Sequence, residues 1–334
     1  MSVRRGVWFF PDADGRTIVE TIVASEALGL DEVWLGDEGP ARDPFALLAA
    51  AAVQTRTIGL GVAVTNPYLR HPSSTAAAAL TVHELSERRM ILGLGPGGDL
   101  ALKPAQVERR QPLAATRRAL RIIRAVSQGK PTEGYSPAPH AVRGADLPVY
   151  IGARGEAFNR LAGELADGVF LGGIPRLRLK PTAEWAREKR PDLHVAAYMN
   201  VVFDRASLEV LRPRLIYALL DAPEATRAAL GVERAEAAEA AEAITRGDDG
   251  PARQVVNDQR LDELVVFGTT PAAVGRELAA RLKPINPTSV GITLLGTDPM
   301  ARLQPVALAL SIAAKELDAA REQLEHKPKG AACQ

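Results

Sequence analysis

Cysteine and aromatic residues are scarce in this 334-residue chain, which has a single cysteine, Cys333, and only 4% Phe, Trp and Tyr. One cysteine excludes an intramolecular disulfide framework and is typical of proteins that fold in a reducing compartment. With 46% hydrophobic residues, alanine, leucine and valine are expected to fill most of the interior, as in folds that pack helices on parallel strands. Four aromatic residues fall in predicted strands, where core packing is the ordinary role: Trp8, Phe9, Trp34 and Phe170.

Net charge is almost absent as well. The chain has 41 lysines and arginines against 40 aspartates and glutamates, a formal charge of +1. Such a balance gives no overall field that favours nucleic acid or an anionic membrane, so an anionic ligand would have to be bound by local groups. No uncharged apolar stretch approaches the ~20 residues of a membrane span, and no signal peptide is evident. We therefore expect a cytoplasmic protein with a small-molecule substrate, and neither nucleic acid nor a membrane as partner.

Sequence motifs for several common chemistries are also missing. The chain has no Walker loop, no Gly-x-Ser-x-Gly and no paired cysteines. None of the five histidines has a neighbour at metal-ligand spacing: His71, His83, His140, His194 and His326. Metal catalysis and covalent nucleophilic catalysis are therefore not expected, and no metal site is predicted.

What the chain does contain is a strand–helix–strand unit between Ile58 and Asp99. Two apolar runs of strand length, Ile58–Val64 and Met90–Leu94, flank an alanine-rich helix that follows Pro72. This pattern predicts parallel strands whose carboxyl ends lie on the same side of a sheet. Loops at those ends carry the chemistry of barrel and doubly wound enzymes.

The same alternation continues along the chain and predicts one (β/α)8 TIM barrel, a single domain over residues 1–334. A helical region rich in alanine and glutamate, about 204–262, is expected to be a solvated insertion between strands seven and eight. Val265–Phe267 is a further candidate strand. The eight predicted strands are Gly6–Phe10, Glu32–Leu35, Ile58–Val64, Met90–Leu94, Val149–Ile151, Gly168–Leu171, Leu193–Phe203 and Thr288–Leu294.

Glycine-rich turns follow three of these strands. Gly93-Leu-Gly-Pro-Gly-Gly-Asp99 lacks the helix start and the later acidic residue of a dinucleotide-binding loop, so it either admits a planar or phosphorylated ligand to the backbone or is a tight turn without one. Gly152-Ala-Arg-Gly155 lies between a strand and a helix start, where free amides and an arginine favour an anion. Gly172-Gly173 ends the neighbouring strand. We expect these last two turns to form a phosphate site.

Charged side chains and a long loop also fall near this rim. Asp37 and Glu38 follow strand two and Asp99 follows strand four, so these carboxylates either converge as proton donors or are ordinary solvated loop residues. His71 either caps the helix that follows Pro72 or hydrogen-bonds a ring-shaped ligand. The stretch Gly129–Pro148 is rich in proline and glycine and is expected to be a loop folded over the active face.

The order of these motifs resembles the bacterial luciferase-like flavin and deazaflavin oxidoreductases, and among them the methylenetetrahydromethanopterin reductases that use coenzyme F420. The resemblance spans about 6–173 and is weak over 204–260. Two departures concern the substrate: the reductases usually have His where this chain has Glu38, and often a Glu in strand one where it has Trp8-Phe-Phe10. The resemblance itself rests on six segments: Asp37-Glu38, Val64-Thr-Asn-Pro-Tyr68, Arg70-His-Pro72, Gly93-Leu-Gly-Pro-Gly97, Ile151-Gly-Ala-Arg-Gly155 and Ala162-Gly-Glu-Leu-Ala-Asp-Gly168.

The resemblance implies a homodimeric TIM barrel that binds its coenzyme at the strand carboxyl ends. The family's non-prolyl cis peptide would fall at Ala63-Val64 and back the middle ring. Thr65 and Asn66 would contact the ring, with His71 a further candidate; Gly95, Gly97 and Gly98 would contact its side chain. The phosphate would lie on Gly152, Ala153, Arg154 and Gly155 with Gly172 and Gly173. Asp37, Glu38 and Asp99 are the candidate proton donors.

The function implied is hydride transfer between reduced F420 and a small organic substrate. An FMN-dependent monooxygenase of the luciferase type, which activates oxygen, is the first alternative. A non-catalytic flavin-binding protein is the second. The direction of transfer and the substrate stay open, because the variable segments would shape the substrate pocket.

Overall fold

A computed structural model describes residues 2–37, 42–133, 135–136, 145–152, 154–296 and 298–325. Eight parallel strands close a barrel because β9 pairs with both β7 and β1, and a short ninth strand, β8, pairs with the end of β7. The predicted (β/α)8 barrel is thus confirmed. The strands are β1 Arg4–Phe9, β2 Glu32–Leu35, β3 Gly59–Thr65, β4 Met90–Leu94, β5 Val149–Gly152, β6 Gly168–Gly172, β7 His194–Val202, β8 Val265–Phe267 and β9 Ser289–Thr293.

Helices surround the strands, and several begin where the sequence provides a cap and a proline. Asp43 accepts a hydrogen bond from the Ala46 amide at 3.0 Å, with Pro44 in the first turn. Short 3₁₀ turns occupy Arg212–Leu215 and Lys283–Ile285. The α-helices are α1 Gly15–Ala27, α2 Pro44–Ala52, α3 Pro72–Leu85, α4 Asp99–Leu102, α5 Pro112–Ser127, α6 Glu156–Leu165, α7 Arg176–Arg187, α8 Arg205–Leu211, α9 Ile216–Leu220, α10 Glu224–Ala229, α11 Arg234–Thr245, α12 Gly250–Val255, α13 Asp258–Leu264, α14 Pro271–Leu282 and α15 Pro299–Glu325.

Aromatic side chains, rather than small aliphatic ones, fill the barrel lumen. The Trp34 ring on β2 lies 5.1 Å from Phe170 on β6 and 5.7 Å from Tyr150 on β5, strands that do not neighbour its own. Phe170 in turn stacks on Tyr198 of β7 at 4.8 Å. The expectation that alanine, leucine and valine fill the interior is therefore wrong for the lumen, although it holds for the layer between strands and helices.

Glycines on facing strands make room for these four rings. A Cβ atom on Gly291 of β9 would lie 1.9 Å from Cε1 of Tyr198, and one on Gly61 of β3 would lie 2.3 Å from Cε3 of Trp34. Such distances are far inside van der Waals contact, so the rings occupy the volume that a side chain would need. Large and small residues thus alternate around the lumen.

A buried carboxylate lies below the aromatic layer, at the amino-terminal end of the barrel. Glu32 accepts hydrogen bonds from Tyr198 at 2.7 Å, from Trp34 Nε1 at 3.1 Å and from Ser289, and it pairs with Arg4 at 3.3 Å. Burial and the nearby negative charge of Glu32 raise the pKa of Tyr198 well above its ordinary value. Because the first residues of β1, β2 and β9 meet here, the network closes the lower end of the lumen.

The insertion between β7 and β9 has a hydrophobic core of its own. Buried side chains from α8 to α13 pack together with Val202 of β7 and Val265 of β8. In α11, the alanines at 237, 240, 241 and 243 are buried although the helix is rich in glutamate. The expectation of a merely solvated insertion is therefore wrong, because the alanine face is covered. The candidate strand Val265–Phe267 is a strand, and the single-domain assignment stays a prediction.

The described ends of the connection from α5 to β5 lie on the opposite face from the strand carboxyl ends. These ends contact the amino-terminal side: the Ala145 amide bonds to the carbonyl of Ser127, and Arg124 bonds to that of Leu147 at 3.1 Å. A loop that leads from a helix into a strand belongs to that face, so the expected cover over the active face is wrong for these ends. Gly134 and 137–144 of this stretch lie outside the described residues.

None of the described helices is both long enough and apolar enough to cross a membrane. Within the described residues there is no group of three or more His, Cys, Asp or Glu side chains that could hold a metal ion.

Candidate functional site

Ala63 and Val64, near the end of β3, form an apolar surface at the carboxyl side of the barrel, which we call the β3 ledge. The Ala63-Val64 peptide bond is cis, as the resemblance predicts. Ala63 is buried against the aromatic layer, and its carbonyl accepts a hydrogen bond from Trp8 Nε1 at 2.5 Å. Val64 is partly buried on top of the same layer. The ledge therefore presents a small apolar surface with a rigid aromatic floor beneath it.

A glycine directly after β4 and one at the end of β5 let Val64 lie across their backbones. A Cβ atom on Gly95 would be 2.5 Å from Cγ2 of Val64, and one on Gly152 would be 2.3 Å from its Cγ1. The same Cβ on Gly95 would be 2.7 Å from the carbonyl oxygen of Gly152. These three residues are thus in mutual contact, and any larger residue at either glycine would displace the ledge.

Thr65 and Asn66 follow directly on the ledge, and both are buried. The Thr65 carbonyl accepts a hydrogen bond from the Gly95 amide at 2.8 Å. Its hydroxyl, however, has no partner among the described residues. Asn66 Oδ1 accepts from the amides of Tyr68 and Leu69, each at 3.0 Å, and so shapes the following turn. A buried hydroxyl without a partner is costly, so Thr65 Oγ1 is a group that a ligand would satisfy.

The turn after β4 lies between the turn after β3, which contains Asn66, and the segment that contains Arg109. Gly97 adopts φ +71°, a conformation that favours glycine, and a Cβ there would be 3.4 Å from Cβ of Asn66. Its carbonyl accepts a hydrogen bond from Arg109 at 2.8 Å. The Gly93–Asp99 segment is therefore an exit turn flanked by the β3 turn, and α4, of four residues, follows it.

The turns after β5 and β6 meet through Arg154. Gly173 has φ +62°, and a Cβ there would be 3.1 Å from Nη2 of Arg154, so the guanidinium lies over this glycine. Gly155 is the N-cap of α6, with no side chain capping the first turn. First-turn amides and a guanidinium in one place suit an anion. The predicted neighbourhood of the two glycine turns is confirmed, whereas phosphate binding there stays a prediction.

The corner between α9 and α10 of the insertion contacts these same turns. Arg154 Nη1 donates to the carbonyl of Ala218 at 2.8 Å. A Cβ on Gly98 would lie 3.0 Å from Oδ2 of Asp221, and one on Gly155 would lie 3.7 Å from Pro223. Sequence reasoning missed this corner, because nothing local in Ala218–Pro223 indicates a contact with turns more than 60 residues away.

A match to a family model agrees with this geometry. The model described as luciferase-like monooxygenase matches residues 3–284. The chain belongs to the luciferase-like monooxygenase family. The matched range includes the whole β3 ledge, all three glycine turns and the insertion.

Relatives within the luciferase-like family are similar over most of the chain. The 5,10-methylenetetrahydromethanopterin reductase of Methanolobus tindarius is 30% identical over 79% of this chain and 86% of its own length. The reductase of the same name from Archaeoglobus fulgidus is 28% identical, over 81% and 88%. The structure of the coenzyme F420 dependent tetrahydromethanopterin reductase from Methanopyrus kandleri superposes with a TM-score of 0.75 at 25% identity, covering 96% of this chain and 99% of that one.

The other residues that the sequence predicts for this site are three carboxylates, Ala153 and Gly172. Asp37 is half-buried two residues after β2. Glu38 and Ala153 lie outside the described residues, as does the side chain of Asp99 at the start of α4. The predicted convergence of three carboxylates therefore stays a prediction. Gly172 ends β6, where a Cβ would be 2.9 Å from the Phe170 ring.

His71 serves as the N-cap of α3. Its Nδ1 accepts from the Ser73 amide at 3.3 Å and lies 2.7 Å from the Ser73 hydroxyl, and the residue is exposed. Of the two roles that the sequence left open for His71, the structure shows capping of α3. A contact with a ring-shaped ligand stays a prediction.

Proposed function

We propose that this luciferase-like protein is an F420-dependent oxidoreductase that transfers a hydride between the reduced deazaflavin and a small organic substrate. The relatives support the coenzyme: reductases named for methylenetetrahydromethanopterin match about four fifths of the chain, and an F420-dependent glucose-6-phosphate dehydrogenase is 30% identical over 56% of it. The site supports it as well, because the turns after β3, β4, β5 and β6 lie side by side at one end of the barrel.

The observation that carries the proposal is the buried, unpartnered hydroxyl of Thr65 beside an apolar ledge. A flat heteroaromatic ring placed on Val64 would cover the ledge and offer polar edge atoms to this hydroxyl. Gly95 and Gly152 have no side chains, which leaves room for Val64 to lie across their backbones beneath such a ring. The residues present therefore fit a deazaflavin ring.

The side chain of the coenzyme would follow the row of turns from β4 to β6. The backbone of Gly97 and Gly98 would adjoin its polar chain, and Arg154 with the first-turn amides of α6 would hold its phosphate. Gly173 leaves room for the guanidinium, while the Ala218 carbonyl orients it. Each of these groups binds or orients, and none needs to change covalently.

When bound, F420 supplies the hydride acceptor and donor at C5 of its ring, and the chain supplies position and a dry environment. The four aromatic rings below the ledge pack together in one buried cluster. Asp37, Glu38 and Asp99 stay proposed as proton donors to the substrate, because they follow β2 and β4 in the sequence.

Binding of F420 and FMN to the purified protein, measured side by side, tests the proposal. We expect fluorescence titration to show tighter binding of F420, and reduced F420 to lose its hydride to an added carbonyl or imine acceptor without consuming oxygen. Tighter binding of FMN with oxygen uptake would instead support the luciferase-type monooxygenase. Binding without turnover of any acceptor would support a non-catalytic flavin-binding protein.

Two further properties are proposed with this function. The family resemblance implies a homodimer, and the single cysteine favours a cytoplasmic location. Light scattering coupled to size-exclusion chromatography measures the first, and cell fractionation measures the second. A monomeric mass at working concentration would contradict the dimer without affecting the coenzyme assignment.

A further inference from the structure

An arginine at the rim of the barrel carries a positive charge that the described residues do not neutralise. Arg109 lies on the exposed segment between α4 and α5, and one of its nitrogens donates to the Gly97 carbonyl at 2.8 Å. No described carboxylate lies within ion-pair distance of it. An arginine has five N–H donors in a planar fork, so most of this guanidinium is available to a ligand.

Other arginines around it are paired. Arg110 forms an ion pair with Glu108 at 2.7 Å, and Arg70 pairs with the N-cap Asp43. Arg109 and Arg110 are adjacent in sequence, and both are exposed. Among the described side chains, Arg110 has a carboxylate partner and Arg109 has none.

The backbone of this segment is fastened at the site. The Tyr68 hydroxyl, from the turn after β3, donates to the carbonyl of Arg110 at 2.9 Å. Burial raises the pKa of Tyr68, and the positive charge of Arg109 acts against that rise, which is consistent with their proximity. Arg109 is thus held between the β3 and β4 turns, whereas Arg154 lies at the β5 and β6 turns.

We propose that Arg109 binds a carboxylate or phosphate group of a ligand at the barrel mouth, beside Gly97. This inference rests on the proposed function for the nature of the ligand, but the charge and its position are independent of it. Two sources share this chemistry: an anionic organic substrate bound beside the coenzyme ring, and the anionic glutamate tail of F420, which would have to fold back from Arg154 along the turns to reach Gly97. A charge-assisted, bidentate contact with Arg109 suits either one.

The test compares F420 with its glutamate tail and the same deazaflavin phosphate without glutamates, using fluorescence titration of the wild type, Arg109→Gln and Arg110→Gln. We expect Arg109→Gln to weaken binding of the tailed form by about threefold to fivefold at low salt, as for an exposed ion pair, and to leave the tail-free form unchanged. Raising the ionic strength should remove the difference. Arg110→Gln should bind both forms as the wild type does.

A second arm tests the substrate as the source. Glutarate and inorganic phosphate are added to the protein alone and to the protein loaded with the tail-free coenzyme, and the melting temperature is followed. If the tail has no effect, protection by these anions that Arg109→Gln abolishes and Arg110→Gln retains would assign Arg109 to the substrate. Equal behaviour of wild type and Arg109→Gln in both arms would overturn the proposal.

Failure of the coenzyme assignment would be recognised separately. A wild type that binds neither deazaflavin would refute the proposed function, while the glutarate and phosphate arm would still decide whether Arg109 is an anion-binding residue. Circular dichroism of both variants establishes that the substitutions leave the fold intact.

Discussion

Arg154 donates a hydrogen bond from Nη1 to the carbonyl oxygen of Ala218 at 2.8 Å, which joins the turn after β5 to the insertion that follows β7. This contact orients a guanidinium over Gly173. The side chain is thereby fixed at the turns where we propose that the phosphate binds. Binding at the turns and the position of the insertion are therefore linked.

Replacing Arg154 should weaken coenzyme binding. We expect Arg154→Ala to lower the affinity for F420 about tenfold or more, since a hydrogen bond to a charged group contributes about 1.5–3 kcal/mol. Arg160→Ala is the matched control, because Arg160 is exposed on the adjacent α6 and pairs with Glu156. Fluorescence titration measures both. Unchanged affinity in Arg154→Ala would mean that the phosphate is bound elsewhere.

Removing the hydroxyl of Thr65 should weaken coenzyme binding without lowering the stability of the fold. Thr65→Val keeps the shape of the side chain and deletes a buried group that has no described partner, so the free energy of unfolding should stay the same or rise. Affinity for the deazaflavin should fall about fivefold, which corresponds to ~1 kcal/mol for one neutral hydrogen bond.

Thr116→Val provides the comparison for that experiment. Thr116 is equally buried and its hydroxyl also lacks a described partner, but it lies on α5, away from the ledge. Its replacement should leave the affinity for the deazaflavin unchanged and should alter the free energy of unfolding only slightly. Equal losses of affinity in the two variants would point to a general effect on the fold instead of a contact with the ring.

Filling the lumen should destabilise the barrel. Gly291→Ala would place a Cβ 1.9 Å from Cε1 of Tyr198, and we expect the free energy of unfolding to fall by about 3 kcal/mol, at the upper end of overpacking effects. Gly15→Ala is the control, since its Cβ would meet its nearest neighbour, Leu47, at an ordinary 3.4 Å. Urea denaturation measures both. Similar stability of the two variants would show that the rings shift easily.

Glu26 should make stability depend on pH in the acidic range. Burial acts to raise the pKa of Glu26, but the amides of Thr57, Ile58 and Arg56 more than offset this, so its pKa is lowered overall. A depressed folded-state pKa contributes stability above the unfolded-state value, about 4.3, and that contribution is lost as pH falls through the folded-state value.

The variant Glu26→Gln isolates this effect. Wild type should be the more stable protein at pH near 7, and the difference between the two should shrink as pH falls below about 4. Denaturation curves of both proteins over that range measure it. A difference that stays constant with pH would show that the charge of Glu26 is not what matters at the entry to β3.

The sequence is sufficient to predict where the turns meet, because parallel strands bring Gly95, Gly152 and Gly172 to one end regardless of the details of packing. It is not sufficient to place Trp34 or Tyr198, since composition counts aromatic rings without saying which face of a strand they occupy. The contact of Ala218 with Arg154 is also beyond local patterns, because it depends on how the insertion packs. The expectation that the stretch 129–148 covers the active face followed from its composition, whereas the described ends lie on the other face because they connect a helix to a strand.

The closed lower end of the lumen sets the order in which ligands leave. Glu32, Arg4 and the four rings above them obstruct passage along the axis, so a ligand on the β3 ledge would enter and depart at the carboxyl end of the barrel. With a coenzyme ring on the ledge and a substrate stacked over it, as proposed above, the substrate would be nearer the exit. We therefore expect product release to precede coenzyme exchange.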